Sequence, residues 1–85
     1  MTDIERIKKI GENNTNYFQN NVLEYLEWEC KATGNLPGKL YIPEKDRDID
    51  FLKNVLKALG YLARFEEDPY NPYWESACYH IYLCR

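Results

Sequence analysis

A single histidine, His80, is all that this 85-residue chain contains, so any histidine-based acid or base must be that residue. No glycine-flanked serine elbow, Walker loop or G-x-G-x-x-G phosphate cradle is present to work with it. Neither C-x-x-C nor H-x-x-x-H spacing occurs, so the common zinc motifs are missing as well. These shortages predict no enzyme, no catalytic residue, no cofactor and no bound metal. Basic residues are also in deficit, with 11 Lys and Arg against 14 Asp and Glu, a net charge of −3 and a pI of about 5.1. Proteins that hold phosphate backbones show the opposite balance, so nucleic acid is not the expected partner.

Long apolar runs are missing too. No stretch approaches the roughly 18 apolar residues of a membrane span, and the first twenty residues hold Asp3, Glu5 and Glu12 without the apolar core of a signal peptide. A cytoplasmic protein without a membrane partner is expected. The three cysteines, Cys30, Cys78 and Cys84, are too few and odd in number for a disulfide framework. If Cys78 and Cys84 share a strand, six residues at about 3.3 Å each hold them about 20 Å apart, beyond any disulfide.

What the chain does have is enough apolar surface for one core: 45% of its residues are hydrophobic and 29% charged, unlike a disordered segment. A chain of this length buries only roughly 60–65% of its unfolded surface, which suits one domain spanning residues 1–85 and no second. Hydrophobic periodicity divides it into a helical part, 1–34, and a β-α-β-β part, 39–85. Residues 2–5, TDIE, form a capping box in which the Thr2 hydroxyl accepts from the Glu5 amide, and Ile4, Ile7 and Ile10 follow as an apolar stripe on a short helix with a frayed start. The run GENNTN, 11–16, marks a break, with Asn14 or Thr15 as the next N-cap. Phe18, Val22, Tyr25, Leu26 and Cys30 then make the buried stripe of a second helix over about 15–33, which Gly34 is placed to end.

A turn at NLPG leads to a short strand, KLYI, that stops at Pro43. Asp46 and Asp48 of EKDRD, followed by Asp50, suit the start of a third helix, whose stripe is Ile49, Leu52, Val55, Leu56 and Leu59 before Gly60. Two alternating runs close the chain. Tyr61, Ala63 and Phe65 face away from Leu62, Arg64 and Glu66, while Ala77, Tyr79, Ile81 and Leu83 face away from Cys78, His80, Tyr82 and Cys84. The expected fold is α+β, in the order α-α-β-α-β-β, with a three-stranded, mainly antiparallel sheet, a C-terminal β-hairpin and helices on one face.

Cys78, His80 and Cys84 share a strand face, but same-face neighbours stand nearly 7 Å apart, so Cys78 and His80 could just converge on an ion while Cys84 lies too far along. Arg64, His80 and Tyr82 give a cation and two rings on the outer sheet face, an alternative site of the kind that stacks bases or regulates transcription. The hairpin tip is the sharpest feature. DPYNPYW, residues 68–74, gathers Tyr70, Tyr73 and Trp74 between two prolines, beside Glu66, Glu67, Asp68 and Glu75, with no basic residue from Phe65 to Ser76. Pro69 and Pro72 stiffen the loop, and stiff rings with a charged rim are the material of protein-binding hot spots.

Trp74 serves either as such an anchor or as a cover folded back over the sheet edge. These features predict a small acidic protein-binding module, of the kind found as inhibitors in phages and mobile elements, that docks on a basic or nucleic-acid-binding surface of another protein. Apolar patches on the first helix and the loop leave room for a homodimer.

Overall fold

The computed structural model describes residues 1–43, 48–73 and 75–85. Along the chain it contains α1 (Asp3–Gly11), α2 (Tyr17–Glu29), β1 (Lys39–Pro43), α3 (Ile49–Ala58), β2 (Leu62–Asn71) and β3 (Ser76–Cys84). This is the α+β order that the periodicity predicts. The strands form one antiparallel sheet in the order β1-β3-β2, with β3 in the middle because the α3 crossover carries the chain from one edge to the other.

Local chemistry explains the boundaries. The Glu5 amide donates to the Thr2 hydroxyl, which in turn donates to the Glu5 carboxylate, so the capping box starts α1. The second helix begins two residues later than Asn14, at an Asn16 cap whose side chain accepts from the Gln19 amide. Asn14 is already committed, accepting from the Asn16 amide and donating to Gln19 in a turn that cannot also cap. Gly34 ends the region after α2 with φ +82°, and its amide donates to the Cys30 carbonyl. Asp48 caps α3 through the Phe51 amide, and Gly60, at φ +90°, turns the chain into β2. Asp46 lies outside the described residues.

One face of the sheet, formed by Leu40, Ile42, Ala63, Phe65, Tyr79, Ile81 and Leu83, packs with the helices around Ile7, Val22, Leu26, Leu52, Val55 and Leu56. Leu26, Leu40, Ile42, Leu52 and Ile81 have no exposed surface, so truncating any one to alanine costs about 2–5 kcal/mol. Phe18 does not belong to this core: α2 starts at Tyr17, which leaves Phe18 in the first turn, exposed and edge-on to the Tyr17 ring.

The start of α1 is not frayed, and α1 offers no apolar patch, because Ile7 is buried and Ile4 and Ile10 pack on the core. Its anchor is Asp3, only 1% exposed, a side chain whose role local sequence does not announce. Its carboxylate accepts from the Leu36 amide at 3.0 Å, from the Tyr61 hydroxyl and from the Arg85 guanidinium, tying both ends of the chain to the loop after α2. Burial alone would raise this carboxyl, but the hydrogen bonds from Tyr61, Leu36 and Arg85, with the Arg85 charge, outweigh it and hold the pKa below the ordinary value. Tyr25 does similar work at the sheet edge. Its hydroxyl donates to the Tyr41 carbonyl at 2.9 Å and accepts from the Tyr41 amide at 3.4 Å, covering backbone groups that an edge strand would leave open.

Candidate functional site

The hairpin of β2 and β3 runs in register from Leu62 opposite Cys84 to Asp68 opposite Cys78, then shifts before Asn71 meets Ser76. Beyond that irregularity the tip is built from side-chain turns. The Asp68 carboxylate accepts from the Tyr70 amide at 3.3 Å, and the Asn71 side-chain oxygen accepts from the Tyr73 amide at 2.9 Å. The Asn71 side-chain amide also donates to Asp68 at 3.5 Å, so the two turns brace each other. Glu75 closes the tip at φ +53°, an αL position that few residues other than glycine adopt. On this framework Tyr70 is 62% exposed and Tyr73 is 84% exposed. Trp74, the third expected anchor, lies outside the described residues.

The acids of the tip divide by strand face. Glu66 and Asp68 lie on the outer face of the sheet and Glu67 on the opposite side, as adjacent strand residues must. Glu66 meets Arg64 at 3.4 Å with both side chains more than half exposed, a pairing worth at most about 1 kcal/mol. Asp68 meets His80 Nε2 at 3.3 Å in a more sheltered setting. Glu67 and Glu75 are exposed and make no ion pair among the described residues.

The outer sheet face brings Arg64, His80 and Tyr82 together as expected, and adds two residues that periodicity alone does not single out, Lys39 and Tyr41 of β1. Lys39 and Arg64 flank Tyr82 in the pairing register, so the Lys39 ammonium lies 4.9 Å and the Arg64 guanidinium 4.6 Å from its ring centre. Lys39 also sits 4.6 Å over Tyr41, and interaction with the Tyr41 and Tyr82 side chains raises its pKa. Tyr41 in turn stands edge-on to His80 with ring centres 4.9 Å apart. The cations therefore occupy the ring faces on which a base would stack, and Glu66 and Asp68 continue the same face with negative charge.

Toward the tip, Cys78, His80 and Asp68 place one sulfur, one ring nitrogen and one carboxylate oxygen within 4.8 Å of one another. Cys78 has no exposed surface although it lies on the face away from the helices. Burial raises its thiol, the Asp68 charge adds to the rise, and a hydrogen bond with Asn71 offsets part of it. A protonated, enclosed thiol is a poor nucleophile, so a cysteine-histidine-acid arrangement of these residue types does not amount to an activated nucleophile. Cys30 is buried as well and is pushed up to about 11, chiefly by burial.

A third surface escaped the periodicity. Tyr17, Phe18 and Trp28 of α2 are all more than 60% exposed, and Tyr17 and Trp28 stand three helical turns apart on one side of the helix. Spacing reads Phe18 as core and leaves Tyr17 and Trp28 outside the stripe, so it does not mark the three as a surface. Comparison with protein-family models, curated proteins and solved structures finds no match to this chain. No helix is long and apolar enough to cross a membrane among the described residues.

Proposed function

We propose that this chain is a small acidic, non-enzymatic protein-binding module that docks through its hairpin tip on a basic surface of another protein. One observation carries the reading: Tyr70 and Tyr73 project outward from a tip whose backbone is held by paired side-chain turns. Rings held this way lose little entropy on binding and can supply the central contacts of an interface. Glu67 and Glu75 form a negative rim, and Glu66 and Asp68 can join it, since the Arg64 and His80 contacts are partly open to water. An inhibitor of phage or mobile-element type, covering the groove with which its target holds nucleic acid, is the most specific form of this proposal.

The experiment is a nuclease-treated pull-down from host lysate followed by affinity measurement with the captured protein. The native chain is compared with Tyr70→Ala/Tyr73→Ala and with Tyr17→Ala/Phe18→Ala/Trp28→Ala, both shown to be folded by circular dichroism. Loss of the partner in the tip variant alone, with native binding that weakens as salt rises, supports the proposal. Equal capture by the tip variant overturns it, and loss in the α2 variant alone moves the interface to that helix.

A further inference from the structure

At the root of the tip the outer sheet face changes from rings and cations to a sulfur, an imidazole and a carboxylate. The pairing register is the cause. Cys78 and His80 are two residues apart on β3 and so share a face, while Asp68 on β2 stands directly opposite Cys78 and diagonal to His80. We propose that Asp68, Cys78 and His80 form a three-ligand site for a divalent transition-metal ion of the zinc type.

Distances support it. Zinc bonds of about 2.0–2.3 Å in a tetrahedron place neighbouring ligand atoms about 3.3–3.7 Å apart. His80 Nε2 and Asp68 Oδ2 are 3.3 Å apart, and all three donor atoms lie within 4.8 Å of one another, so the Cys78 sulfur has at most about 1 Å to close. An ion placed among them takes the place of the direct His80–Asp68 contact, with the proton of the neutral imidazole on Nδ1 so that Nε2 is free to bind. Mixed sulfur, nitrogen and oxygen donors suit zinc and its neighbours and exclude calcium and magnesium, which require oxygen.

Outer contacts are in place as well. The Tyr41 ring packs against the His80 ring at an interplanar angle of 71°, and the Asn71 side chain donates to the Asp68 carboxylate. His80 and Asp68 keep 22% and 31% of their side-chain surface exposed, which provides an entry path from solvent. Binding replaces the thiol proton: the Cys78 S–H bond breaks, an S–metal bond forms, and the proton leaves to solvent without any redox change. His80 contributes the lone pair of a neutral imidazole and Asp68 its carboxylate, leaving a fourth position for water or for a side chain from a partner. The ion would join β2 to β3 just before the register shift and hold the base of the tip. The site stands whether or not the tip is the docking surface.

The test is titration of the reduced, full-length chain with Co²⁺ as an optical probe, followed by competition with Zn²⁺. One cobalt per chain, a thiolate-to-cobalt charge-transfer band and tetrahedral visible bands that Zn²⁺ removes are expected. Cys78→Ser abolishes the charge-transfer band, His80→Gln and Asp68→Asn each weaken binding by at least about tenfold, and Asn71→Ala does so by about 10- to 100-fold. Cys84→Ser leaves the titration unchanged. Circular dichroism establishes that each variant is folded, and the partly exposed positions His80 and Asp68 decide the matter if Cys78→Ser does not fold. Absence of the charge-transfer band with cobalt in large excess overturns the proposal, as does a band that survives both His80→Gln and Asp68→Asn or disappears in Cys84→Ser.

Discussion

Replacing Asp3 by alanine should be the most damaging change outside the apolar core. The substitution removes the acceptor for the Leu36 amide, a buried interaction, and for the Tyr61 hydroxyl, while the Arg85 guanidinium can turn to water. A buried donor left unpaired costs about 1–3 kcal/mol and a lost hydrogen bond to a carboxylate about 1.5 kcal/mol or more, which gives about 3 kcal/mol with nothing counted for Arg85. A domain of this size has roughly 4–13 kcal/mol in all. At about 4–8 °C per kcal/mol, the expected fall in Tm is roughly 12–24 °C, read by circular dichroism at neutral pH. Acid should expose the same interaction in the native chain. A carboxyl whose folded pKa is depressed contributes fully above its unfolded value, near 3.8, and loses that contribution as pH falls through the lower folded value. Asp3→Asn should therefore flatten the acid limb of the stability curve below about pH 4 as well as lower its plateau. A Tm within about 2 °C of the native value for Asp3→Ala would refute the reasoning.

Gly34→Ala should cost about 1–2 kcal/mol in a urea titration, since the residue holds φ +82° while its amide and carbonyl bond to Cys30 and Ile4. Tyr25→Phe uncovers the Tyr41 amide and carbonyl at the sheet edge, so a loss of about 1 kcal/mol and greater self-association by light scattering are expected. In disulfide-exchange labelling at neutral pH the exposed Cys84 should react promptly, whereas Cys30 and Cys78 should react only on unfolding, because both are buried with raised pKa values. Single-stranded oligonucleotides should show no binding by fluorescence anisotropy at physiological salt, because Lys39 and Arg64 cover the Tyr82 ring and two acids continue that face.

Much of the fold is legible in short-range pattern. Ile49, Leu52, Val55, Leu56 and Leu59 repeat at helical spacing and α3 lies where they do, while the alternation of Phe65 with Glu66 and of Ile81 with His80 assigns each strand its inner and outer face. Errors fall where several local choices compete. Asn14, Thr15 and Asn16 can each cap a helix, and the choice rests on the Asn14 turn, a geometry that composition does not specify. Phe18 continues the apolar stripe by spacing alone, yet in the first turn of α2 its ring is 64% exposed.

The tip shows the same division. Its aromatic and proline content marks residues 68–74 as unusual from sequence, but the bracing of Asp68 and Asn71 depends on where pairing with β3 breaks. By itself the chain determined its charge, its helix and strand periods, its breaks at Gly34 and Gly60 and the two faces of each strand, because these follow from side-chain chemistry over a few residues. Only the tertiary structure decided that Asp3 meets Arg85, 82 residues away, and that Asp68 joins Cys78 and His80. Strand order and register fix those meetings, and they are set by the sum of all packing contacts across the domain and not by any one segment.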